Sequence, residues 1–546
     1  MSDHSTPLSP FERALTLFTR MRPGEGRSVL LFFTHGFLLL FSYMIVKALR
    51  EALILTKFPA EVRAYAVAVI ALVLMLVIPV YSAVRRRLDG ARLLQAITIF
   101  FALSMLVFVY IAHSGVNIAF AFFVWVSIYG VMVVAQFWAF AADSFNLKSG
   151  QRLFPVIMLG ANLGALVGAK CAQLAAAALS PMGLMLVANA ALLGTLVFAT
   201  PERRAVPAGS RALAVDALVR PPRLLGGLGL VFRDRYLLLI ALLVVLLNWI
   251  NSTGEFVLAD FVQRDAAARA AQTPGIDAGA LITAFYGNFQ YWVTLVGLLT
   301  QLFLVARIYR WVGLRGALLV HPAIVALGYG LVAIAPLLIG FVPVFTLIRL
   351  VKIAENSIDY SLMNTTRHAL FLPVDRDAKY EGKTAIDTFF WRFGDLLQAG
   401  VVYLGVNQLH WSATEFARVN LVLALLWLVL AWVIGREFAR KARENVINVA
   451  PEAGAIPDLH VLAGQPFRHV LAAETFTDAD PGDVLHLHAR RHDGQPLPAW
   501  MQFYARERIF SGVAPGSGWQ ELTIVVVASD VDGLEAQSTF VVRLQS

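Results

Sequence analysis

Long apolar runs follow one another through most of the chain. Each is close to the roughly 17–25 residues that a membrane-spanning helix needs, and all are too long for core strands. The twelve predicted spans are 28–49, 64–81, 93–112, 118–142, 153–174, 182–199, 236–259, 286–308, 317–338, 341–363, 384–406 and 416–434. Only 15% of the 546 residues are charged, below the quarter that is usual for soluble domains. We therefore predict an all-α polytopic membrane protein.

Basic residues concentrate in every second loop between these spans. They precede the first span and follow each even-numbered span, as at Arg20, Arg85, Arg310 and Arg436. The opposite loops, such as 113–117, are nearly uncharged. The positive-inside rule then predicts a bacterial inner-membrane protein with both termini in the cytoplasm. The net charge of +9 is explained by topology, so we expect no nucleic-acid partner.

A long basic connector divides the spans into two groups of six. The predicted domains are a cytoplasmic segment 1–27, a six-helix bundle 28–200, the connector 201–235, a second six-helix bundle 236–440, a linker 441–456 and a C-terminal domain 457–546. Transporters with two such halves hold their substrate between them.

The C-terminal domain has a different pattern. Short alternating segments at 484–488, 499–504, 523–528 and 539–544 are separated by turn residues such as those at 480–483 and 493–494. This pattern predicts a small antiparallel β-sandwich of about a hundred residues.

Charged residues inside spans are costly and are candidates for function. At the end of the first helix Tyr43, Lys47 and Arg50 share one helical face, and Glu51 lies one turn from Lys47. Two cations with one acid suit an anionic substrate such as a phosphate. Snorkelling at the membrane edge is the alternative.

A second polar stripe lies in the tenth span. Its charged members are Arg349, Lys352, Glu355 and Asp359, spaced three or four apart. A helix this polar cannot face lipid. It lines a water-filled path or forms internal ion pairs, and the sequence leaves both open.

A third cluster begins the eleventh span. Lys383 and Asp387 are four residues apart and are predicted to pair, with Arg392 and Asp395 further along. An interfacial loop is the alternative to a substrate site. Glu255, at the end of the seventh span, is expected at the rim.

Two further features have structural explanations. Gly160, Gly164 and Gly168 recur every fourth residue, which favours close helix packing. The single cysteine, Cys171, excludes a disulfide framework and any zinc site built on paired cysteines. We predict no catalytic residue, metal site or cofactor.

The charged motifs resemble those of the ATP:ADP antiporter (nucleotide exchange translocase) family. The segments that carry the resemblance are SYMIVKALRE at 42–51, QFWAFA at 136–141, RHALFLP at 367–373, KTAID at 383–387 and RFGD at 392–395. The resemblance implies a major facilitator-like fold, alternating access and exchange of nucleotides or related phosphates. It implies that Arg50 and Lys383 contact substrate phosphate. Arg50 stands where the family usually carries lysine, and 129–133 lacks the family's acid in the fourth helix.

The C-terminal domain resembles dystroglycan-type cadherin-like (Ig-like) domains, through DGQPLPAW at 493–500 and the segments 510–512 and 528–533. Its aspartates are candidate calcium ligands or turn residues, and turn chemistry is favoured. They are Asp478, Asp480, Asp483, Asp530 and Asp532.

Two functions follow from these patterns. The first is a secondary transporter in the lipid bilayer that exchanges nucleotides or another phosphorylated or anionic solute. The alternative is a non-transporting scaffold or sensor that acts through a protein partner of its β-sandwich domain. Neither is an enzyme.

Overall fold

The computed structural model describes residues 25–85, 90–145, 147–198, 224–335, 343–375, 378–444, 450–478, 484–516, 519–530 and 533–545. It divides into two compact units, Met1–Ala439 and Arg440–Ser546, and each contains its own hydrophobic core. Most of the predicted connector 201–235 lies outside the described residues, as do Asp480, Asp483 and Asp532.

The first half of the helical unit contains one helix for each of the first six predicted spans. These helices are α1 Gly26–Lys57, α2 Ala60–Arg85, α3 Gly90–His113, α4 Ala119–Ser144, α5 Leu147–Ala175 and α6 Pro181–Gly194. A 3₁₀ turn, Thr195–Phe198, continues α6. The Ser180 side chain caps α6 by accepting a hydrogen bond from the Gly183 N–H at 3.2 Å.

The second half is less regular. Its helices are α7 Leu224–Arg233, α8 Arg235–Gln272, α9 Ala278–Leu299, α10 Val305–Ile334, α11 Val344–Ile358, α12 Asn364–Ala369, α13 Lys383–Ala385, α14 Trp391–Asn407 and α15 Ala413–Glu444. Four π turns interrupt or join them: Thr300–Leu304, Asp359–Met363, Ala378–Gly382 and Ile386–Phe390. Such turns occur frequently at functional sites.

Helix α8 extends beyond its predicted span 236–259, and its last turns are charged. Two i,i+4 ion pairs support this extension, Arg264–Asp260 and Arg269–Asp265, both at 2.9 Å. The span was predicted from its apolar residues, so the prediction could not include these polar turns.

Nine helices of the described residues are long and apolar enough to cross a membrane, and one of these covers 278–334. They contain ten of the twelve predicted spans, because residues 278–334 hold two. The remaining two were predicted at 341–363 and 384–406. Their described residues, 343–363 and 384–406, are divided into α and π segments that carry many polar residues. The prediction of an all-helical polytopic membrane protein is confirmed.

Glycines allow the closest helix contacts. A Cβ added to Gly160, Gly164 or Gly168 of α5 would overlap a backbone carbonyl oxygen of α1. A Cβ on Gly287 of α9 would lie 2.6 Å from the backbone nitrogen of Gln173 in α5. The small-residue face therefore serves helix packing, as predicted.

The C-terminal unit consists of short strands in three sheets. The strands are β1 Glu452–Ala453, β2 Leu459–Leu462, β3 Pro466–Val470, β4 Phe476–Thr477, β5 His486–Arg491, β6 Met501–Tyr504, β7 Ile509–Val513, β8 Glu521–Ser529 and β9 Glu535–Gln545. The sheets have the orders β2-β9-β8-β5, β3-β7-β6 and β1-β4.

The predicted strands correspond to β5, β6, β8 and β9. The prediction of purely antiparallel pairing is wrong at one point, because β2 pairs with β9 in parallel, with Leu459 opposite Val542. Strand β1 lies within the stretch predicted as a linker. Buried Phe510, Val526 and Phe540 form the centre of this unit's core.

Candidate functional site

A polar cavity of about 380 Å³ lies between the two halves of the helical unit. Its walls come from α1, α2 and α4 of the first half, and from α8, α9, α11, α14 and the π turn after α11 in the second half. This volume falls in the range of small-molecule sites. A position between halves is where transporters of this architecture bind substrate.

The first predicted cluster lines this cavity in full. Tyr43, Lys47, Arg50 and Glu51 all lie on its wall. Their spacing along α1 places them on neighbouring turns of one face, as the sequence indicated. Gly130 of α4 leaves room for Tyr43, because a Cβ there would overlap the Tyr43 ring.

The cavity wall carries more positive than negative charge. Its cations are Lys47, Arg50, Arg63 and Arg392, and its acids are Glu51, Glu255 and Asp395. Four cations against three acids leave a formal charge of +1. In a low-dielectric surrounding such an excess favours an anionic ligand.

Ion pairs lie along the cavity wall, and one of them, Arg63–Glu255, connects the two halves. Arg63 Nε lies 2.6 Å from Glu51 Oε2, and Arg63 Nη2 lies 3.2 Å from Glu255 Oε2. Arg50 Nη2 lies 3.2 Å from Glu51 Oε1. Arg392 Nη1 lies 3.2 Å from Asp395 Oδ2, within the second half. Three of the four cations are thus neutralised by carboxylates.

Lys47 is the exception. Its ammonium donates a hydrogen bond to Gln290 Oε1 at 3.1 Å and lies 6.0 Å from the ring centroids of both Tyr43 and Tyr360. Within the described residues it has no carboxylate within ion-pair distance. An ammonium has three donors, so Lys47 keeps hydrogen-bonding capacity for a ligand in the cavity.

The second predicted cluster lies mostly behind the cavity wall. Lys352 is fully buried, with Nζ 3.0 Å from Glu355 Oε2 and 3.7 Å from Glu255 Oε1. Glu355 also accepts a hydrogen bond from the Tyr329 hydroxyl at 3.0 Å. The sequence left two alternatives open for this stripe, a water-filled path and internal ion pairs. Lys352 and Glu355 form an internal ion pair.

The other members of that stripe differ in their surroundings. Arg349 donates to Asn288 Oδ1, and Asp359 is buried at the start of a π turn. None of Arg349, Lys352, Glu355 and Asp359 lines the cavity, whereas their neighbour Asn356 does. Asn356 Nδ2 donates to Glu255 Oε1 at 2.9 Å.

The third cluster is divided. Arg392 and Asp395 line the cavity, whereas Lys383 and Asp387 do not. The predicted Lys383–Asp387 pair is wrong for the described structure. Asp387 lies 4.0 Å from Arg367, and Lys383 lies 5.9 Å from the Phe371 ring centroid. A π turn begins at Ile386, so regular i,i+4 stacking does not continue from Lys383.

Sequence reasoning missed two central residues. Glu255 is not at the rim as expected: it lines the cavity and contacts Arg63 and Lys352. Arg63, at the start of α2, was not predicted as a site residue, because it lies next to a loop and outside the predicted span 64–81. Asn251 and Glu255 are four residues apart on α8 and both line the cavity. That spacing was a usable signal.

No group of three metal-ligating side chains occurs within the part of the chain that the structure describes. The donors that the cavity offers are ammonium, guanidinium, amide and hydroxyl groups. These hydrogen-bond donors suit an oxyanion.

The fold of the helical unit is similar to that of solved POT family transporters. The POT family transporter PepTSo superposes with a TM-score of 0.51 at 14% identity, covering 77% of this chain and 98% of that one. A POT family transporter in complex with 5-aminolevulinic acid gives a TM-score of 0.52 at 14% identity, over 76% and 96% of the two chains. The predicted fold class is confirmed.

The family model of the TLC ATP/ADP transporter matches residues 225–438. The He_PIG model of an Ig domain matches residues 447–545. ADP,ATP carrier protein 1 of Chlamydia pneumoniae is 24% identical over 383 residues, which covers 61% of this chain and 70% of that protein. The protein of the same name from Chlamydia muridarum is 25% identical over 379 residues, covering 61% and 68%. The resemblances stated from the sequence are confirmed.

Proposed function

We propose that this protein is a secondary transporter that exchanges nucleotides or a related phosphorylated anion across the membrane by alternating access. The proposal rests on the surroundings of Lys47. It is a cation with spare donors, without a carboxylate partner among the described residues, in a cavity shared by both halves. A phosphate in this cavity would provide the missing negative charge.

The rest of the cavity suits the remainder of a nucleotide. Five aromatic rings stand on its wall: Tyr43, Phe123, Tyr286, Tyr360 and Trp391. Aromatic faces bind a base by stacking, and this needs no particular base identity. Asn251, Gln290 and Asn356 add amide groups that hydrogen-bond to polar edges.

The Arg63–Glu255 ion pair between the halves gives a route from binding to movement. Arg63 belongs to the first half and Glu255 to the second. An anion that binds Arg63 or Arg50 competes with Glu255 and Glu51 for the same guanidinium donors. A ligand shifts an equilibrium only by its different affinity for the two states, and this competition supplies such a difference.

The names of the relatives support a nucleotide as substrate, since both Chlamydia proteins are called ADP,ATP carriers. Arg50 differs from the lysine usual in the family. For this reason the proposal includes nucleotides other than ATP and ADP, and smaller phosphorylated anions.

The test is uptake by purified protein in liposomes. Vesicles loaded with unlabelled nucleotide are offered labelled ATP, ADP, other nucleotides or phosphate, one at a time. We expect at least one to enter by exchange, and Lys47→Gln to reduce its uptake at least tenfold. Lys57→Gln is the matched control, because Lys57 is exposed on the same helix and outside the cavity.

Uptake of none of these anions by well-folded protein would count against transport and would favour the scaffold or sensor that acts through the β-sandwich domain. Equal uptake by wild type and Lys47→Gln would leave transport standing and would contradict the role of Lys47.

We also propose a bacterial inner-membrane location with both termini in the cytoplasm, on the basis of the basic loops that alternate along the sequence. A cytoplasmic reporter fused after Ser546 should be active and a periplasmic reporter silent. The reverse pattern would overturn this orientation.

A further inference from the structure

A second cationic cluster lies outside the cavity, at the seam where α5 of the first half meets α9 and α11 of the second. Lys170 Nζ donates to Gln173 Oε1 at 3.0 Å, and the same oxygen accepts from Asn288 Nδ2 at 3.1 Å. Asn288 Oδ1 then accepts from Arg349 Nη2 at 2.5 Å. Two cations from opposite halves are therefore connected through two neutral amides.

This seam cluster, consisting of Lys170, Gln173, Asn288 and Arg349, has no carboxylate in ion-pair contact with either cation among the described residues. Several other buried cations in the helical unit are paired with carboxylates, as Lys352 is with Glu355 and Arg63 with Glu51. Two uncompensated charges inside membrane-spanning elements are costly. An anion bound at the seam would remove that cost.

The cluster also has free donors for such an anion. The amide oxygens of Gln173 and Asn288 already accept hydrogen bonds. Lys170 uses one of its three N–H donors to Gln173, and Arg349 uses one of its five to Asn288. Lys170 lies 5.4 Å from the Tyr291 ring centroid, and Arg349 lies 5.5 Å from that of Phe285. The rings hold the cations in place without neutralising them.

The cluster faces away from the cavity. Phe285, Asn288 and Tyr291 are spaced three apart on α9, whereas Tyr286 and Gln290 of the same helix line the cavity. At 3.6 residues per turn the two sets point about 180° apart. Trp292, which is 43% exposed, lies on the outward side with the cluster. The seam is therefore reached from the lipid.

The two cations of the cluster lie near helix ends. Lys170 is five residues before the end of α5, and Arg349 is five residues after the start of α11. Asn288, which connects them, is ten residues after the start of α9.

We propose that the seam cluster binds a phosphate group that bridges Lys170 and Arg349. The position favours the phosphate of an anionic lipid headgroup, and a free phosphate has the same chemistry. A phosphate held by both halves would stabilise the contact between α5 and α9. The binding does not depend on transport through the cavity.

The first arm of the test uses full-length protein delipidated in detergent and titrated with phosphatidylglycerol, with bound lipid counted by native mass spectrometry. The second arm titrates inorganic phosphate in a Lys47→Gln background, so that the cavity ammonium does not contribute, and follows the melting temperature. We expect a response in at least one arm, and the responding arm identifies the source of the phosphate.

Lys170→Gln and Arg349→Gln should each weaken that response at least tenfold, whereas Lys170→Arg should keep it. Gln173→Glu is the sharpest variant, because it preserves shape and places a carboxylate between the two cations. We expect it to fold well and to lose binding. Equal responses in wild type and Gln173→Glu, or no response of wild type to either probe, would overturn the proposal.

Discussion

Arg63 of α2 and Glu255 of α8 form an ion pair between the two halves of the helical unit, with Nη2 3.2 Å from Oε2. Glu255 also lies 3.7 Å from the Nζ of buried Lys352 and accepts a hydrogen bond from Asn356. One carboxylate thus connects the cavity wall to the charges behind it. We expect its removal to lower the stability of the helical unit and to weaken the contact between the halves.

Glu255→Gln keeps the size of this side chain and removes its charge. Removing one partner of a buried ion pair costs about 3–5 kcal/mol. Glu51 still neutralises Arg63, so we expect the lower end of that range. Melting of the purified protein in detergent should show this loss, and uptake in liposomes should fall.

Asp260→Asn is the matched control for that variant. Asp260 lies five residues further along α8 and pairs with Arg264, whose side chain is 75% exposed. Exposed pairs contribute at most about 1 kcal/mol, so stability and uptake should be nearly unchanged. Equal effects of the two substitutions would contradict the role assigned to Glu255.

Arg50→Lys should change substrate preference as well as affinity. Arg50 Nη1 donates to Ser127 Oγ at 2.8 Å, Nη2 contacts Glu51, and the guanidinium lies 4.7 Å from the Phe123 ring centroid. A lysine ammonium cannot keep this planar arrangement. We expect the ratio of affinities for ATP, ADP and inorganic phosphate to change in competition binding. An unchanged ratio would mean that Arg50 acts only as a charge.

Gly164→Ala should separate α1 from α5. A Cβ at this position would overlap the backbone carbonyl of Phe37, and overpacking costs about 1–3 kcal/mol. Gly400→Ala on α14 is the control, because no atom lies within 4 Å of its Cβ position. That change should be neutral or stabilise by up to about 1 kcal/mol. The melting temperature of Gly164→Ala should fall below that of wild type, and that of Gly400→Ala should stay the same or rise. Equal melting temperatures of the two variants would contradict the packing account.

His469 should make the β-sandwich unit less stable in acid. Its half-buried ring lies 5.4 Å from the Phe540 ring centroid, and burial lowers the pKa of His469 below its usual value. As pH falls through about 6.5, the unfolded chain takes up a proton that the folded ring resists, so stability present above that pH is lost.

This pH effect is measured as the urea midpoint of a fragment 440–546 at pH 7.5 and pH 5.5. The midpoint should fall at the lower pH, and His469→Phe should reduce the fall. His488→Gln, at an exposed position of β5, should keep it. A fall of the same size in His469→Phe would assign the effect to other groups.

The fold was predictable from the sequence where burial in lipid imposes a simple pattern. A continuous apolar run predicts a spanning helix, so both ends of α3 and the start of α1 were placed to within three residues. Helix α1 continues eight residues beyond its predicted end, because its last turns carry charged residues. The interrupted helices α11 to α14 were not, because a π turn such as Ile386–Phe390 depends on tertiary contacts rather than on composition. In the β-sandwich unit, short strands such as β1 carry too few residues for a periodic pattern.

The site was predictable only on the helix where several polar residues share a face. Lys47 and Arg50 were found because their spacing alone places them together. Arg63 and Glu255 were not, since their meeting depends on how the two halves pack. The resemblance to the antiporter family implied a role for Lys383, yet Arg392 is the cation of that region on the cavity wall.

The central claim is that Lys47 binds a phosphorylated anion in the cavity. Equilibrium titration of ATP and ADP into wild type, Lys47→Gln and Lys57→Gln tests it most directly. Loss of a buried charge-assisted contact costs about 2–5 kcal/mol, so Lys47→Gln should bind at least tenfold more weakly while Lys57→Gln binds as wild type does. Equal affinity of Lys47→Gln and wild type for both nucleotides, with all three proteins folded, would contradict the account.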